Sequence, residues 1–329
     1  MIITTKPFNI LFGLVSFILL VGCSTSSPVP LSTPAPLASA AKVNTFYDFQ
    51  LYSKTGQALS VEKMALQAQT ADVILVGEWH THAGIHLFQT QLLQALIQQP
   101  RAVALSMEQF SRDKQAVVNE YLEGEIGEQT LIQKGKAWPN YESDYRPLVE
   151  LAKTNHIDVI AANAPKTMVQ CIAKQGLSYL DKQPEQSRAW VAKVINTEDS
   201  PYKQKFMDSM HYGSAQQNET QYAAQATWDA TMAESMVNYL SQHPSKHIIH
   251  IAGMFHTEDG LGTAAAMLRL NPDLNILIIT PTESILKDSP DFQLHVLAPP
   301  TRFIKKENRL AAYKTLGKRS QELDCDGVN

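Results

Sequence analysis

Asp72-Val73-Ile74-Leu75-Val76-Gly77-Glu78-Trp79-His80 and His250-Ile251-Ala252-Gly253-Met254-Phe255-His256 are two strongly apolar runs, one early and one late in the chain, each closed by Gly-x-x-His. A short β-branched run of this kind reads as a buried strand, and a histidine just beyond it projects from the strand's carboxyl edge. The closing glycine is expected to give the last turn its backbone freedom. Open α/β sheets keep their sites at that edge. Imidazole is the commonest metal ligand and the usual proton carrier near neutral pH. His80 and His256, with Glu78 beside the first, are therefore expected to share one site. The alternative is an isolated histidine in each of two strand-to-helix turns.

Working outward, further strand-like runs lie at Ala102 to Met107, Asp158 to Ala162 and Asn275 to Thr280, and Phe292 to Leu297 reads as an edge strand. They alternate with helical patterns. Ala83 to Gln98 carries Ile85, Leu87, Phe88, Leu92, Leu93 and Leu96 on one face, and Ser143 to Thr154 carries Tyr145, Leu148, Val149 and Ala152; Pro100 and Asn155 stop them. The fold class this predicts is α/β, a mostly parallel central sheet flanked by helices. Between Pro165 and His243 no strand pattern occurs. This stretch is expected to be an all-helical insertion capping the carboxyl edge of the sheet, its last helix running from about Thr220 to Leu240. The stripe of Trp228, Met232, Met236 and Leu240 on that helix reads as helix packing, with a flat apolar ligand as the alternative.

The chain has 329 residues and a formal charge of −4, with 18% charged residues, which supplies no basic footprint for nucleic acid. Residues 1–22 read as a signal peptide, with Lys6 ahead of an apolar run from Phe8 to Val21 that is too short to span a membrane. Leu20-Val21-Gly22-Cys23 resembles the bacterial lipobox, which implies cleavage before Cys23 and acylation of its sulfur. The expectation is a cell-envelope lipoprotein, and Ser24 at the following position favours the outer membrane. Residues 23–42 form a Ser, Thr, Pro and Ala tether, the domain follows over 43–304, and the tail of 305–329 is charged and expected to be mobile. Cys171 and Cys325 are expected to be free thiols, although an oxidising compartment would permit a bridge.

Glu108 follows the run Ala102 to Met107 and so reaches the same edge as His80 and His256. A carboxylate buried there needs a partner, for which Arg112 is one candidate. The sharper reading gathers Glu78, His80, Glu108 and His256 into a carboxylate and imidazole cluster suited to a divalent metal or to acid-base catalysis. His82 and His86 share one face of the following helix; His82 is the one expected to turn toward the site.

Gly77-Glu78-Trp79-His80, the strand ending in Glu108, Tyr145-Arg146-Pro147-Leu148, Ala161-Ala162-Asn163-Ala164-Pro165 and Ala252-Gly253-Met254-Phe255-His256 together resemble the ChaN family of haem-binding lipoproteins. That family is grouped with the erythromycin-esterase, TraB and Tiki proteins. The resemblance implies haem as ligand, one tyrosine on each iron, two haems stacked face to face in a homodimer, propionates held by a histidine and a lysine of the partner subunit, and a role in iron acquisition beside an outer-membrane haem receptor. A phenolate oxygen suits ferric iron. Tyr141, Tyr145, Tyr202, Tyr212 and Tyr222 are available; Tyr145 and Tyr212 are the candidate ligands, with His211 beside the latter and Lys166 as the candidate cation for a propionate. The alternatives are a metal-dependent hydrolase of the esterase or protease type, acting through Glu78, His80, Glu108 and His256, and a partner-binding lipoprotein whose histidines are structural.

Overall fold

The computed structural model describes residues 42–210, 213–321 and 324–325. Strands β1 (Gln50–Tyr52), β2 (Ala58–Leu59), β3 (Val73–Glu78), β4 (Val103–Ser111), β5 (Val159–Asn163), β6 (His247–Gly253), β7 (Ile276–Thr282) and β8 (Phe292–His295) form one sheet in the order β2-β1-β8-β7-β3-β6-β4-β5. The six strands from β8 to β5 are parallel, and β1 pairs antiparallel with both β8 and β2. The fold is thus the expected helix-flanked, mostly parallel sheet. The β1–β2 hairpin was not expected, since strands of three and two residues carry no readable periodicity.

The helices are α1 (Val61–Gln67), α2 (Ala83–Ile97), α3 (Gln115–Leu122), α4 (Glu128–Lys134), α5 (Arg146–Thr154), α6 (Lys166–Gln175), α7 (Glu185–Arg188), α8 (Pro201–Ser209), α9 (Ala215–Gln242), α10 (Met254–Thr257), α11 (Thr263–Leu270) and α12 (Lys306–Gln321). Period-two alternation along the central strands sends Ile74 and Val76 to one face, against Phe88 and Leu92 of α2 and Leu148 of α5. Val73 and Leu75 go to the other, against Met232 and Met236 of α9 and Met267 of α11. Both faces of β3 and β6 are buried, which is why these strands read as nearly continuous apolar runs.

From α6 to α9 the described residues contain no strand, as expected of the insertion. Helix α9 begins earlier than Thr220 because Ser214 and Gln217 form a reciprocal capping box. Its carboxyl-terminal half lies along the sheet face through Met232, Met236 and Leu240, so the methionine stripe is packing. Its amino-terminal half reaches the carboxyl ends of the strands.

The charged tail contains a helix, α12, and one expectation is corrected. Cys171 and Cys325 are bridged rather than free, and Cys325 is buried in one cluster with Met168, Ile172, Tyr179, Ala223 and Ala224. Residues 1–22 and Cys23 lie outside the described residues, as do His211 and Tyr212. Among the described residues no helix is long and apolar enough to cross a membrane.

Met236 has no solvent exposure and closes the α9 side of the core. Met236→Ala is expected to cost about 2–5 kcal/mol of stability through lost burial and the cavity left behind, read as a lower urea midpoint with an unchanged denaturant slope.

Candidate functional site

Three adjacent strands deliver the site. Glu78 ends β3 and lies in register with Gly253 at the end of β6. On the other side of β6, Glu108 of β4 accepts a 2.7 Å hydrogen bond from the Gly253 backbone N–H. A one-turn helix, α10, then carries His256 back over the strand ends.

Both glycines were expected to supply backbone freedom. Neither belongs to the positive-φ glycines, and Gly253 has φ −53°. They serve close approach instead. A Cβ at residue 77 would lie 2.7 Å from Thr257 Oγ1, and one at residue 253 would lie 2.8 Å from His80 Cε1 and 3.0 Å from His80 Nε2.

The Glu78 side chain is fully buried, and protein groups replace its water. Its Oε1 accepts from Tyr145 Oη at 2.6 Å and Gln109 Nε2 at 3.2 Å and meets His80 Nδ1 at 2.9 Å; its Oε2 accepts from Gln89 Nε2 at 2.8 Å. Burial would raise its pKa, but the His80 hydrogen bond, the His86 charge and the Tyr145 and Gln89 hydrogen bonds hold it below the ordinary glutamate value. Burial would likewise lower His80; the Glu78 hydrogen bond and the Glu108 and Glu78 charges override it and raise His80 above the ordinary histidine value. The His80 side chain is 46% exposed, so this imidazole is the part of the cluster open to a ligand. Trp138 meets it edge-on at 5.0 Å.

The second imidazole is held differently. His256 Nδ1 lies 3.0 Å from Asp229 Oδ1 on α9, and its Nε2 lies 3.7 Å from Glu108 Oε1. Asp229 is fixed by Tyr202 Oη at 2.7 Å and Thr263 Oγ1 at 2.7 Å, and Gln225 Nε2 lies 3.1 Å from His256 Nδ1. Burial opposes protonation of His256, but the Asp229 and Glu108 charges push its pKa up to about 9. The two Gly-x-x-His segments therefore converge, each imidazole paired with a carboxylate.

Other expectations resolve individually. His82 turns away from the cluster, its Nε2 3.0 Å from the Leu297 carbonyl and its ring edge-on to Phe46 and Trp79. His86 joins the network instead, through Gln89 Oε1 at 2.9 Å and the His80 carbonyl at 3.1 Å. Arg112 is not the partner of Glu108: it forks onto Glu234, Ser235 and the Thr231 carbonyl of α9. Among the described residues no group of three or more His, Cys, Asp or Glu is arranged to hold a metal ion, because Glu78 spends both oxygens on internal donors and Glu108 turns one to the Gly253 N–H. Tyr145, a candidate iron ligand, is wholly buried with its hydroxyl donated to Glu78, so a metal ligand there would have to displace that carboxylate. Lys166 is exposed at the first residue of α6, directly after β5.

The sequence reading missed Gln89, Gln109, Gln225 and Asp229. A signal existed for the last: Asp229 lies on the apolar stripe of Met232, Met236 and Leu240, and a lone acid there needs a buried partner. Some distance away, a cleft of about 1200 Å³ opens at the β5 edge, lined by Gln115, Val159, Ala161 and Tyr239. There the Gln115 carboxamide bonds the Val159 carbonyl and the Ala161 N–H, closing the strand edge.

A parallel sheet with paired carboxylate-imidazole groups at the strand ends defines an α/β protein with a composite Glu/His site. By sequence, the chain belongs to the family described as haem-binding uptake, Tiki superfamily, ChaN, which matches residues 64–267. Among solved structures it is similar to ChaN of Campylobacter jejuni, a structure described as showing cofacial haem binding, at 18% identity and a TM-score of 0.61, covering 76% of this chain and 98% of that one. It is more distantly similar to the erythromycin esterase EreC in its open conformation, at 11% identity and a TM-score of 0.43 over 80% of this chain and 87% of that one. The type III effector HopBA1 matches at 10% identity and a TM-score of 0.40, over 78% of this chain and 100% of that one. No curated protein matches significantly.

The His256 shift has a sign. With a folded pKa of about 9 against an ordinary 6.5, its charge pairing stabilises the fold fully below pH 6.5 and is lost as pH rises through 9. Asp229→Asn is expected to flatten that loss, measured as the change in urea midpoint between those two pH values.

Proposed function

We propose that this chain is a lipid-anchored envelope protein that binds haem as cargo, in a ligand-linked homodimer, for iron acquisition. The observation that carries the reading is membership of the haem-binding uptake family over residues 64–267, which take in strands β3 to β6, the insertion and both Gly-x-x-His segments. The lipobox-like Leu20-Val21-Gly22-Cys23 supports the anchor, and the cofacial haems of the Campylobacter jejuni protein support a second copy facing the first. Tyr145 is engaged by Glu78, which leaves Tyr212 as the candidate for ferric iron. His211 and Lys166 are the candidates for propionates, the latter as a solvated cation free to reach a carboxylate. An outer-membrane haem receptor is the partner this role implies.

An absorbance titration of the acyl-free domain with hemin, run beside sedimentation, tests this. Binding with a high-spin phenolate spectrum and a monomer-to-dimer shift is expected. Tyr212→Phe should abolish that spectrum while Tyr145→Phe leaves it. A domain that leaves the hemin spectrum unchanged from buffer ends the reading.

One observation favours a second reading, a hydrolase. The half-exposed His80 is oriented by a buried carboxylate through Nδ1, which leaves Nε2 on the side of Gly253 and Glu108, the arrangement of a general base. His80 would have to be unprotonated to take a proton from water, so ester or peptide hydrolysis would increase as pH rises through its raised pKa. His80→Ala should then lose on the order of 100-fold or more in rate. Chelator treatment of the same preparation reports whether a divalent ion takes part.

A further inference from the structure

We propose that Arg302-Phe303-Ile304-Lys305-Lys306-Glu307-Asn308-Arg309 docks the domain onto an anionic lipid surface, its cations on the headgroups and Phe303 and Ile304 in the acyl boundary. The inference rests neither on haem nor on acylation of Cys23, since these side chains belong to the folded chain itself.

The charge of this stretch is opposite to that of the molecule. The chain as a whole carries −4, yet four cations and one acid fall within these eight residues. Arg302, Lys305, Lys306 and Arg309 are all exposed, and among the described residues none of them meets a carboxylate in an ion pair. Arg101, Arg112 and Lys246, by contrast, are held by Asp72, Glu234 and Asp158. Cations without a protein partner keep their full attraction for a negatively charged surface, and each Lys or Arg close to such a surface adds to the binding. The opposite sign of the remaining chain turns this stretch, rather than another face, toward it.

Charge alone would suit any polyanion, and Phe303 and Ile304 select the lipid. They stand among the cations and are 43% and 92% exposed, which makes Ile304 the most exposed large apolar side chain among the described residues. Transfer of such groups from water into hydrocarbon is favourable, and a nucleic acid or an acidic polysaccharide supplies no hydrocarbon. Lys305 and Lys306 follow directly, with stems long enough to leave their charges at headgroup level while the apolar pair enters below. The backbone presents the pair outward. Pro299 and Pro300 favour an extended approach, and α12 begins at Lys306, with the Arg309 N–H bonded to the Lys305 carbonyl. Lys306 and Arg309, three positions apart, are then neighbours on its first turn.

The test sediments the mature chain, prepared without acyl groups, with vesicles of phosphatidylcholine and with vesicles of an equimolar phosphatidylcholine and phosphatidylglycerol mixture. Binding to the mixed vesicles alone, weakening as salt is added, is expected. Replacing Lys305, Lys306 and Arg309 together by Gln should lower partitioning on the order of 100-fold, and Phe303→Ser with Ile304→Ser should lower it several-fold. Both variants should keep the parent urea midpoint, because the altered side chains lie outside the core. Equal partitioning onto the two vesicle types, a comparison that needs no variant, would overturn the proposal. So would a triple variant that sediments like the parent, or heparin binding as tight as vesicle binding together with no effect of the serine substitutions, since that describes a general polyanion site. A chain that ignores hemin and still binds the mixed vesicles leaves this inference standing while ending the haem reading.

Discussion

The buried carboxylate of Glu78 is the constraint around which the rest of the molecule is arranged. An ionised carboxylate removed from water costs several kcal/mol unless donors replace the water. Four groups do so here: Tyr145, Gln109, Gln89 and His80. They come from the turn ahead of α5, from β4, from α2 and from the segment after β3, so four separate pieces of chain must be in place before this charge is satisfied. His86 and Asn140 then hold the His80 carbonyl, at 3.1 and 2.7 Å. The outcome is an imidazole aimed by a network that is itself rigid, which is how a site on a strand end acquires a fixed direction.

His256 is built on the same principle with different parts. Its carboxylate, Asp229, belongs to the insertion, and Asp229 is held by α8 and α11 through Tyr202 and Thr263. The sheet contributes Glu108 and the close approach at Gly253. The site is therefore shared between the α/β framework and the helices inserted into it. Paired carboxylates and imidazoles fix charge and direction at this site without dictating the ligand.

Most of the fold was legible because its signals are local. Strands β3 through β8 and helices α2 and α5 follow from runs of β-branched residues and from apolar spacing, each readable within a dozen residues. The β1–β2 hairpin and α12 were not, the first because it is too short for a period and the second because a charged helix shows none. At the site, Glu78, His80, Glu108 and His256 were expected together and are together. Tyr145, one of two candidate iron ligands and otherwise a tyrosine with a satisfied hydroxyl, donates that hydroxyl to Glu78, and His82 and His86 exchanged roles, because which face of a helix turns inward depends on its packing partner.

What the amino-acid sequence determined by itself was the order of the elements, the edge of the sheet at which chemistry collects, and the residue types brought there. Periodicity and chain polarity suffice for these, because a strand's carboxyl end is a property of the strand alone. The tertiary structure decided the pairings: Tyr145 with Glu78, Asp229 with His256, Arg112 with Glu234 and Cys171 with Cys325. Each joins segments far apart in the chain, where no local pattern distinguishes one partner from another. Only the packing of helices on the two faces of the sheet selects which polar groups lie close enough to satisfy a buried charge.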